Sequence, residues 1–385
     1  MVEKVELKEV FQKPITGEWG SEGDKVKVLR TTNFTNSGVL DLTNVVLRDI
    51  SDKKIEQKKL CKGDIIIEKS GGSPTQPVGR VVYFDEEGVY LCNNFTSVLR
   101  PQNGKAHSKY LLYMLFGSYQ LGLTNFFQNK TTGISNLQLT RYLDKLKIPL
   151  PPLKTQQKIA QILDNAAALR DKTAQLIEEY NLLAQSIFLE MFGDPVVNPM
   201  GWEKVSLDKL GIIVTGSTPS SKKEDMFGGP IPFVTPSDLD SDAEYSRTVT
   251  EEGAKNSRVV KKGSLLVCCI GATIGKRRMV NTDVSFNQQI NAIEWNERIK
   301  PEFGFHTFQW LKRVVIGKAR STTLPILKKS EFQKIKMIVP DLELQTHFAQ
   351  KIANIDAQKT LARQELKESQ DLFNCLLQKA FKGEL

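Results

Sequence analysis

Three basic side chains in a row, Lys276, Arg277 and Arg278, close the turn "GATIGKRR" that opens at Gly271. Cations after a glycine-bearing turn are what a phosphate-binding loop uses. The P-loop pattern fails here: three residues, not four, separate Gly271 from Gly275, and Arg277 stands where a magnesium-holding Ser or Thr belongs. Without a metal, such residues can still meet phosphates and base edges. Arg and Lys suit guanine, Asn and Gln suit adenine, and Ser or Thr hydroxyls reach phosphate oxygens. Side chains of these kinds gather in six loop-like stretches. In the first half they are "LRTTNFTNSG" (Arg30, Thr31, Thr32, Asn33), "EKSGGSPTQPVGR" (Lys69, Ser70, Ser73, Thr75, Arg80) and "CNNFTS" (Asn93, Asn94). In the second half they are "VTPSD" (Thr235, Ser237), the basic turn itself, and "FNQQIN" (Asn287, Gln288). Each stretch is also ordinary turn material, so the expectation of DNA binding rests on the set and not on any one residue.

Catalytic chemistry leaves little trace. Asp64, Glu68 and Lys69 lie close together, but adjacent Glu68 and Lys69 point to opposite faces of a strand. No GxSxG, HExxH or dinucleotide fingerprint occurs, and "NPMGW" (Asn198 to Trp202) departs from the Asn-Pro-Pro-aromatic stretch of an amino-methyltransferase. The cysteines Cys61, Cys92, Cys268, Cys269 and Cys375 form no CxxC, and His107, His306 and His347 are far apart. That usage fits reduced thiols in a cytosolic protein and offers no zinc site, disulfide framework or Cys-His nucleophile. No catalytic residue, metal site or cofactor bound by this chain is expected. The N-terminus lacks a signal peptide's apolar core, and no apolar run is long enough to span a bilayer, so no membrane partner is expected.

The elements that must position these loops are written twice. "KGDIII" (Lys62 to Ile67) returns as "KGSLLV" (Lys262 to Val267), each followed by a Gly-bearing turn. An Asn-led strand comes next in each half, "NNFTSVL" and "NQQINAI", then a helical stretch, "HSKYLLYMLFGSYQ" and "PEFGFHTFQWLKRVV". Thr131-Thr132 answers Thr322-Thr323, and "KIPLPPL" answers "MIVPDL". The short β-branched runs "GDIIIEK", "VGRVVYF" and "GSLLVCCI" read as strands, and "FDEEGVY" as a hairpin turn with Gly88 at positive φ. The fold class is therefore α+β: two similar mixed halves built as an internal tandem repeat.

A long proline-led helix closes each half. Ile159, Ile162, Ala166, Leu169, Thr173, Leu176, Tyr180, Leu183 and Ile187 step by 3 and 4, the coiled-coil repeat of about 3.5. Gly193-Asp194-Pro195 ends the run. Phe348, Ile352, Ile355, Ala362, Leu366, Phe373 and Leu376 continue the pattern in the second helix, with Lys359 and Ser369 as weak members and Gly383 at the cap. A lone helix would expose such a stripe to water. Pairing the two copies, antiparallel because a globular half lies between them, buries both. The expected domains are residues 1–150, a helix over 151–199, residues 200–341 and a helix over 342–385.

The net charge is +9 in 385 residues. The excess sits in the two globular halves, while the helices are neutral or slightly acidic. Two basic modules joined by helices suit a long polyanion bound at two places, and double-stranded DNA is the commonest. A coiled-coil scaffold for protein assembly and a stand-alone DNA-binding regulator are the alternatives. Steep salt dependence of DNA binding separates the reader from the scaffold.

"IPLPPLKTQQKIAQILDNAAALRDK", its continuation to "SIFLEMFGDP", and the terminal "LLQKAFKGEL" resemble the specificity (S) subunit of type I restriction-modification systems. The resemblance covers the whole duplicated order. It implies two target recognition domains, each reading one half of a split DNA site. It implies an antiparallel coiled coil that spaces them and docks two methyltransferase (M) subunits, with restriction (R) subunits joining the complex. It also implies that S-adenosylmethionine binds the M subunits and that this chain has no active site.

Overall fold

A computed structural model describes residues 2–73, 76–131, 134–220, 222–241, 243–319 and 324–385. Thr75, Thr132, Thr322 and Thr323 lie outside them. The described α-helices are α1 (Asp52–Lys58), α2 (Ser108–Gln120), α3 (Leu139–Lys145), α4 (Leu153–Phe192), α5 (Glu251–Lys255), α6 (Pro301–Lys318), α7 (Lys329–Phe332) and α8 (Leu342–Lys382). None is long and apolar enough to cross a membrane. The chain divides into two compact units: residues 1–174 with 364–385, and residues 175–363.

In the first unit, the apolar runs Ile65–Glu68, Val81–Tyr83 and Thr96–Leu99 join Ile15–Thr16 in one antiparallel sheet. One face packs under α2, whose buried Tyr110, Leu111, Met114 and Leu115 enter the main core. A second sheet runs Val46–Asp49, Ser21–Leu29, Tyr90–Cys92, the last pair parallel. Gly88 takes φ 103° as a turn glycine must. The turn joins two sheets instead of closing a hairpin, because Val81–Tyr83 pairs with Ile65–Glu68 while Tyr90–Cys92 pairs with Ser21–Leu29. Lys4–Glu6 pairs with Lys147–Pro149, so the chain returns to its own start just before α4 begins.

The second unit repeats this plan. Gly211–Thr215, Ile290–Trp295, Leu265–Cys268 and Arg277–Met279 form the antiparallel sheet. Thr248–Val249, Phe227–Val234, Val284–Phe286 and Val259–Val260 form the other, again with one parallel pair. Glu203–Ser206 pairs with Lys336–Val339, directly before α8.

A buried glutamine sets each long helix on its unit. Gln156 donates from Nε2 to the Pro151 carbonyl at 2.8 Å and accepts the His107 amide at 2.8 Å. Gln345 donates to the Pro340 carbonyl at 2.8 Å and accepts the Lys300 amide at 2.9 Å. His107 and Lys300 are the N-caps of α2 and α6, so one side chain ties the long helix to an otherwise unpartnered helix start. Gly193 and Gly383, at φ 70° and 81°, terminate α4 and α8.

In the first unit, Ile159, Ala160, Leu163 and Ala166 of α4 share a core with Phe373, Leu377 and Ala380 of α8. In the second, Ala184, Phe188 and Phe192 of α4 share a core with Phe348, Ile352 and Ile355. The start of each helix meets the end of the other, which makes the pair antiparallel. The buried stripe of α8 follows the expected positions as far as Phe373, with Leu366 half-buried and Ser369 buried, its hydroxyl returned to the Leu366 carbonyl; beyond that Leu377 is buried and the expected Leu376 only half-buried. On α4 the expected Ile159, Ala166 and Thr173 are buried, but the alternate positions of the stripe are displaced by one residue. Ile162, Leu169, Leu176 and Leu183 are exposed, whereas Leu163, Arg170 and Ala184, one residue further on, are buried. Apolar identity misled the reading. The Arg170 guanidinium lies 4.8 Å from the Phe373 ring centre, and Thr173 returns its hydroxyl to the Leu169 carbonyl, so polar residues fill seam places.

His306 of α6 lies between the rings of Phe305 and Phe348, and its Nδ1 is sealed from solvent with no hydrogen-bond partner. Burial, with the like charges of Arg277 and Lys359, pushes its pKa down to about 3. The unfolded chain therefore takes up a proton below about pH 6.5 that the folded chain refuses, and stability falls as pH drops through that window. His306→Leu should flatten the fall in melting temperature between pH 7 and pH 4.5. A variant that loses stability as steeply as the parent would assign the loss to other groups.

Candidate nucleic-acid interface

The first unit brings its three polar loops together. Strand Ser21–Leu29 runs out into a 3-10 turn, Thr31–Asn33. Beside it, the Asn93 amide donates to the Leu29 carbonyl at 2.9 Å. Lys69 and Ser70 then donate their amides to the Phe95 carbonyl at 2.9 and 3.2 Å. A cleft of about 370 Å³ opens between the turn and the next loop, lined by Thr31, Thr32, Gly71, Gly72, Ser73 and Arg80 among others.

Within this surface the side chains divide by employment. Thr32, Ser73 and Asn94 are exposed; Arg30, Thr31, Lys69 and Ser70 are half-buried. Asn33 is buried and spends its amide on the carbonyls of Asp41 and Asn44 at 2.8 and 3.1 Å. Asn93 is buried and caps Thr96. Arg80 is buried against Glu68 at 2.8 Å. Lys69 is the cation best left for a ligand, since partial burial holds its ammonium below the usual lysine range. An anion placed beside it would raise the pKa back toward the usual range.

The second unit builds the same surface from equivalent segments. Strand Phe227–Val234 leads into the 3-10 turn Pro236–Asp238. The Asn287 amide donates to the Val234 carbonyl at 3.0 Å, and the Cys269 amide to the Gln289 carbonyl at 2.8 Å. Ser237 and Gln288 are exposed, with Gln288 Oε1 accepting the Thr218 hydroxyl at 2.6 Å. Thr235 donates both its amide and its hydroxyl to Asp238, at 2.8 and 2.6 Å. Burial would raise the Asp238 pKa, but the hydrogen bonds from Thr235 and Ser246 outweigh it and hold the carboxylate below its usual range.

The basic run is not one patch. Arg277 and Arg278 are neighbours on a strand and face opposite sides. Arg277 donates to the Phe305 carbonyl at 3.2 Å and to Gln309 at 3.3 Å, under α6. Arg278 donates to the carbonyls of Asp238 and Ala243 at 2.9 and 2.8 Å and stacks on Tyr245. Lys276 is half-buried at the turn. Sequence reasoning also missed two glycines. A Cβ on Gly17 or Gly216 would overlap the carbonyl oxygen of Asn93 or Asn287, so these are places where the chain must cross its own loop without a side chain. Their recurrence in both halves was the available signal.

Among the described residues, no group of three His, Cys, Asp or Glu side chains could hold a metal. Burial pushes the thiols of Cys92 and Cys269 up to about 11 and about 12, which keeps them protonated and inert.

The family model described as the type I restriction modification DNA specificity domain matches residues 1–180 and again residues 199–369. The chain is 24% identical over 380 residues to a protein of Methanocaldococcus jannaschii named "Putative type I restriction enzyme MjaX specificity subunit", covering 94% of this chain and 87% of that one. It is 29% identical over 199 residues to the type I restriction enzyme HindI specificity subunit of Haemophilus influenzae, covering 49% and 42%. In fold it is similar to the type I restriction-modification S subunit from M. genitalium, with a TM-score of 0.61, 17% identity, and coverage of 99% and 96%. With the same domain matched in both halves of a duplicated chain, the protein belongs to the type I restriction-modification DNA specificity family.

Proposed function

We propose that this chain is the non-catalytic specificity subunit of a type I restriction-modification complex, reading double-stranded DNA at two half-sites. The observation that carries the reading is the loop triad built twice, on two halves that each match the DNA specificity domain. In this reading residues 1–150 and 200–341 are the two target recognition domains, and the helices over 151–199 and 342–385 set their spacing. The bases are read by the exposed loop residues around Thr32, Ser73 and Asn94 in one domain, and Ser237 and Gln288 in the other. Two M subunits dock on the helix pair, R subunits join the complex in the cytoplasm, and S-adenosylmethionine is bound by the M subunits. A structure of similar fold comes from a study of complex assembly in the type I system, with a TM-score of 0.59.

Exchanging residues 1–150 for those of another member should change one half-site of the methylated sequence and leave the other intact, as read by methylome sequencing. A change in both half-sites, or in neither, would sink the two-reader assignment. Lys69→Ala should weaken binding about equally on all sequences and lower the slope of log affinity against log salt by about 1. An unchanged slope would mean that Lys69 meets no phosphate.

A further inference from the structure

Both units hold the turn at the candidate interface with an arginine reaching across from a neighbouring segment. In the first unit Arg80 donates from Nη2 to the Thr31 carbonyl and from Nη1 to the Phe34 carbonyl, each at 3.2 Å. Glu68 takes its other donors at 2.8 and 3.1 Å, and both partners are buried. In the second unit Arg278 donates from Nη1 to the Asp238 carbonyl at 2.9 Å and from Nη2 to the Ala243 carbonyl at 2.8 Å. The face of its guanidinium is covered by the Tyr245 ring at 4.2 Å.

The turns need such support. A single 3-10 turn has few internal hydrogen bonds and poor geometry. Each has a side-chain cap at its start, Asn33 on the Arg30 amide and Asp238 on the Thr235 amide, both at 2.8 Å. The arginine fixes one carbonyl within the turn and one beyond it, Phe34 directly after the first turn and Ala243 five residues after the second. The outward side chain is exposed in each case, Thr32 or Ser237, with the Ser237 hydroxyl held against that of Thr235 at 2.7 Å. With their donors spent on carbonyls and carboxylate, the arginines are poorly placed to fork onto a guanine.

Resting on the DNA-reading function proposed above, we infer that Arg80 and Arg278 are positioning residues for base selection. Each locks one 3-10 turn in the conformation that presents its exposed hydroxyl, and so governs the sequence requirement of one half-site from behind the DNA-facing surface. The device is the same in both domains although the turns, "RTTN" and "TPSD", share no residue at equivalent places.

The test uses the full chain assembled with its methyltransferase partner and a duplex library randomised in both half-sites. Arg80→Lys and Glu68→Gln should each cut discrimination at one or more positions of the same half-site by about tenfold, the scale of one good base contact. The other half-site should keep its preference, and Arg278→Lys should do the reverse. The salt slope should stay at the parent value, because no phosphate contact is lost. Unchanged preferences in both half-sites would overturn the inference. So would a uniform loss on all sequences with the slope lowered by about 1, which marks a direct phosphate contact. If Arg80→Lys does not fold, Glu68→Gln and Arg278→Lys decide on the same criteria. A parent complex with no two-part preference would instead refute the proposed function, a result that needs no variant.

Discussion

Phe348→Ala is expected to destabilise the second unit by about 3–5 kcal/mol, the range for removing a buried phenyl ring. Phe348 is fully buried where α8 begins, with ring centres 5.6 Å from Phe188 and 5.3 Å from Phe192. Phe303 of α6 completes the cluster, 5.9 and 4.8 Å from the same two rings. One side chain thus joins the end of α4, the start of α8 and the domain helix. The cavity would be lined by the rings of Phe188, Phe192 and His306 and by main chain already pinned through Gln345, so little can collapse to fill it. Of the four tryptophans, Trp202, Trp295 and Trp310 lie in the second unit and Trp19 in the first. Urea unfolding followed by tryptophan emission therefore reports chiefly on the affected unit. A midpoint within error of the parent would show that the cluster is not a keystone of that core.

The double variant Leu169→Glu, Leu176→Glu is expected to abolish co-purification with the methyltransferase subunit while leaving the fold intact. Ile162, Leu169, Leu176 and Leu183 recur every seven residues along α4, and all four are exposed, Leu169 at 44% and Leu176 at 37%. A heptad of exposed apolar residues is what a partner helix would cover. Burying a leucine is worth about 1.5–3 kcal/mol, so two replaced by carboxylates should weaken association about 100-fold or more. Being exposed in the free chain, they should cost it little stability, and melting curves should stay close to the parent's. Retained association would place the docking surface elsewhere; an unfolded variant would mean the leucines serve this chain's own core.

The duplicated order, the strand runs and both long helices were legible because they are repeated or strictly periodic, and such patterns survive without knowledge of contacts. On α4, Ile159, Ala166 and Thr173 were legible as seam members, and the alternate positions were not. Ile162 and Leu163 are adjacent and both apolar, and only the flank offered to the domain decides which is buried. Of the loop residues, Thr32 and Ser73 line one cleft, and the loop carrying Asn94 is tied to the neighbouring segments through main-chain hydrogen bonds. The roles within the loops were not legible. Arg80 and Arg278 look like base readers by type, yet pairing with Glu68 or with carbonyls many residues away turns them into internal braces. Sequence spacing of 12 residues between Glu68 and Arg80 carries no period that marks them as partners.

The core of the first unit is discontinuous in the chain, and this bears on the order of its making. Residues 2–174 supply most of that core, but Phe373, Leu377 and Ala380 come from residues 364–385. A ribosome delivers them only after the whole second unit, a wait of roughly 10–40 s at about 5–20 residues per second. During that interval Tyr113, Phe116 and the apolar flank of α4 await their cover, and the nascent chain presents a sticky surface to chaperones and to other nascent chains. The second unit, made of one unbroken stretch, has no such delay. The half synthesised first is therefore the half completed last, and a stalled or clipped chain would lose the first unit's integrity before the second's.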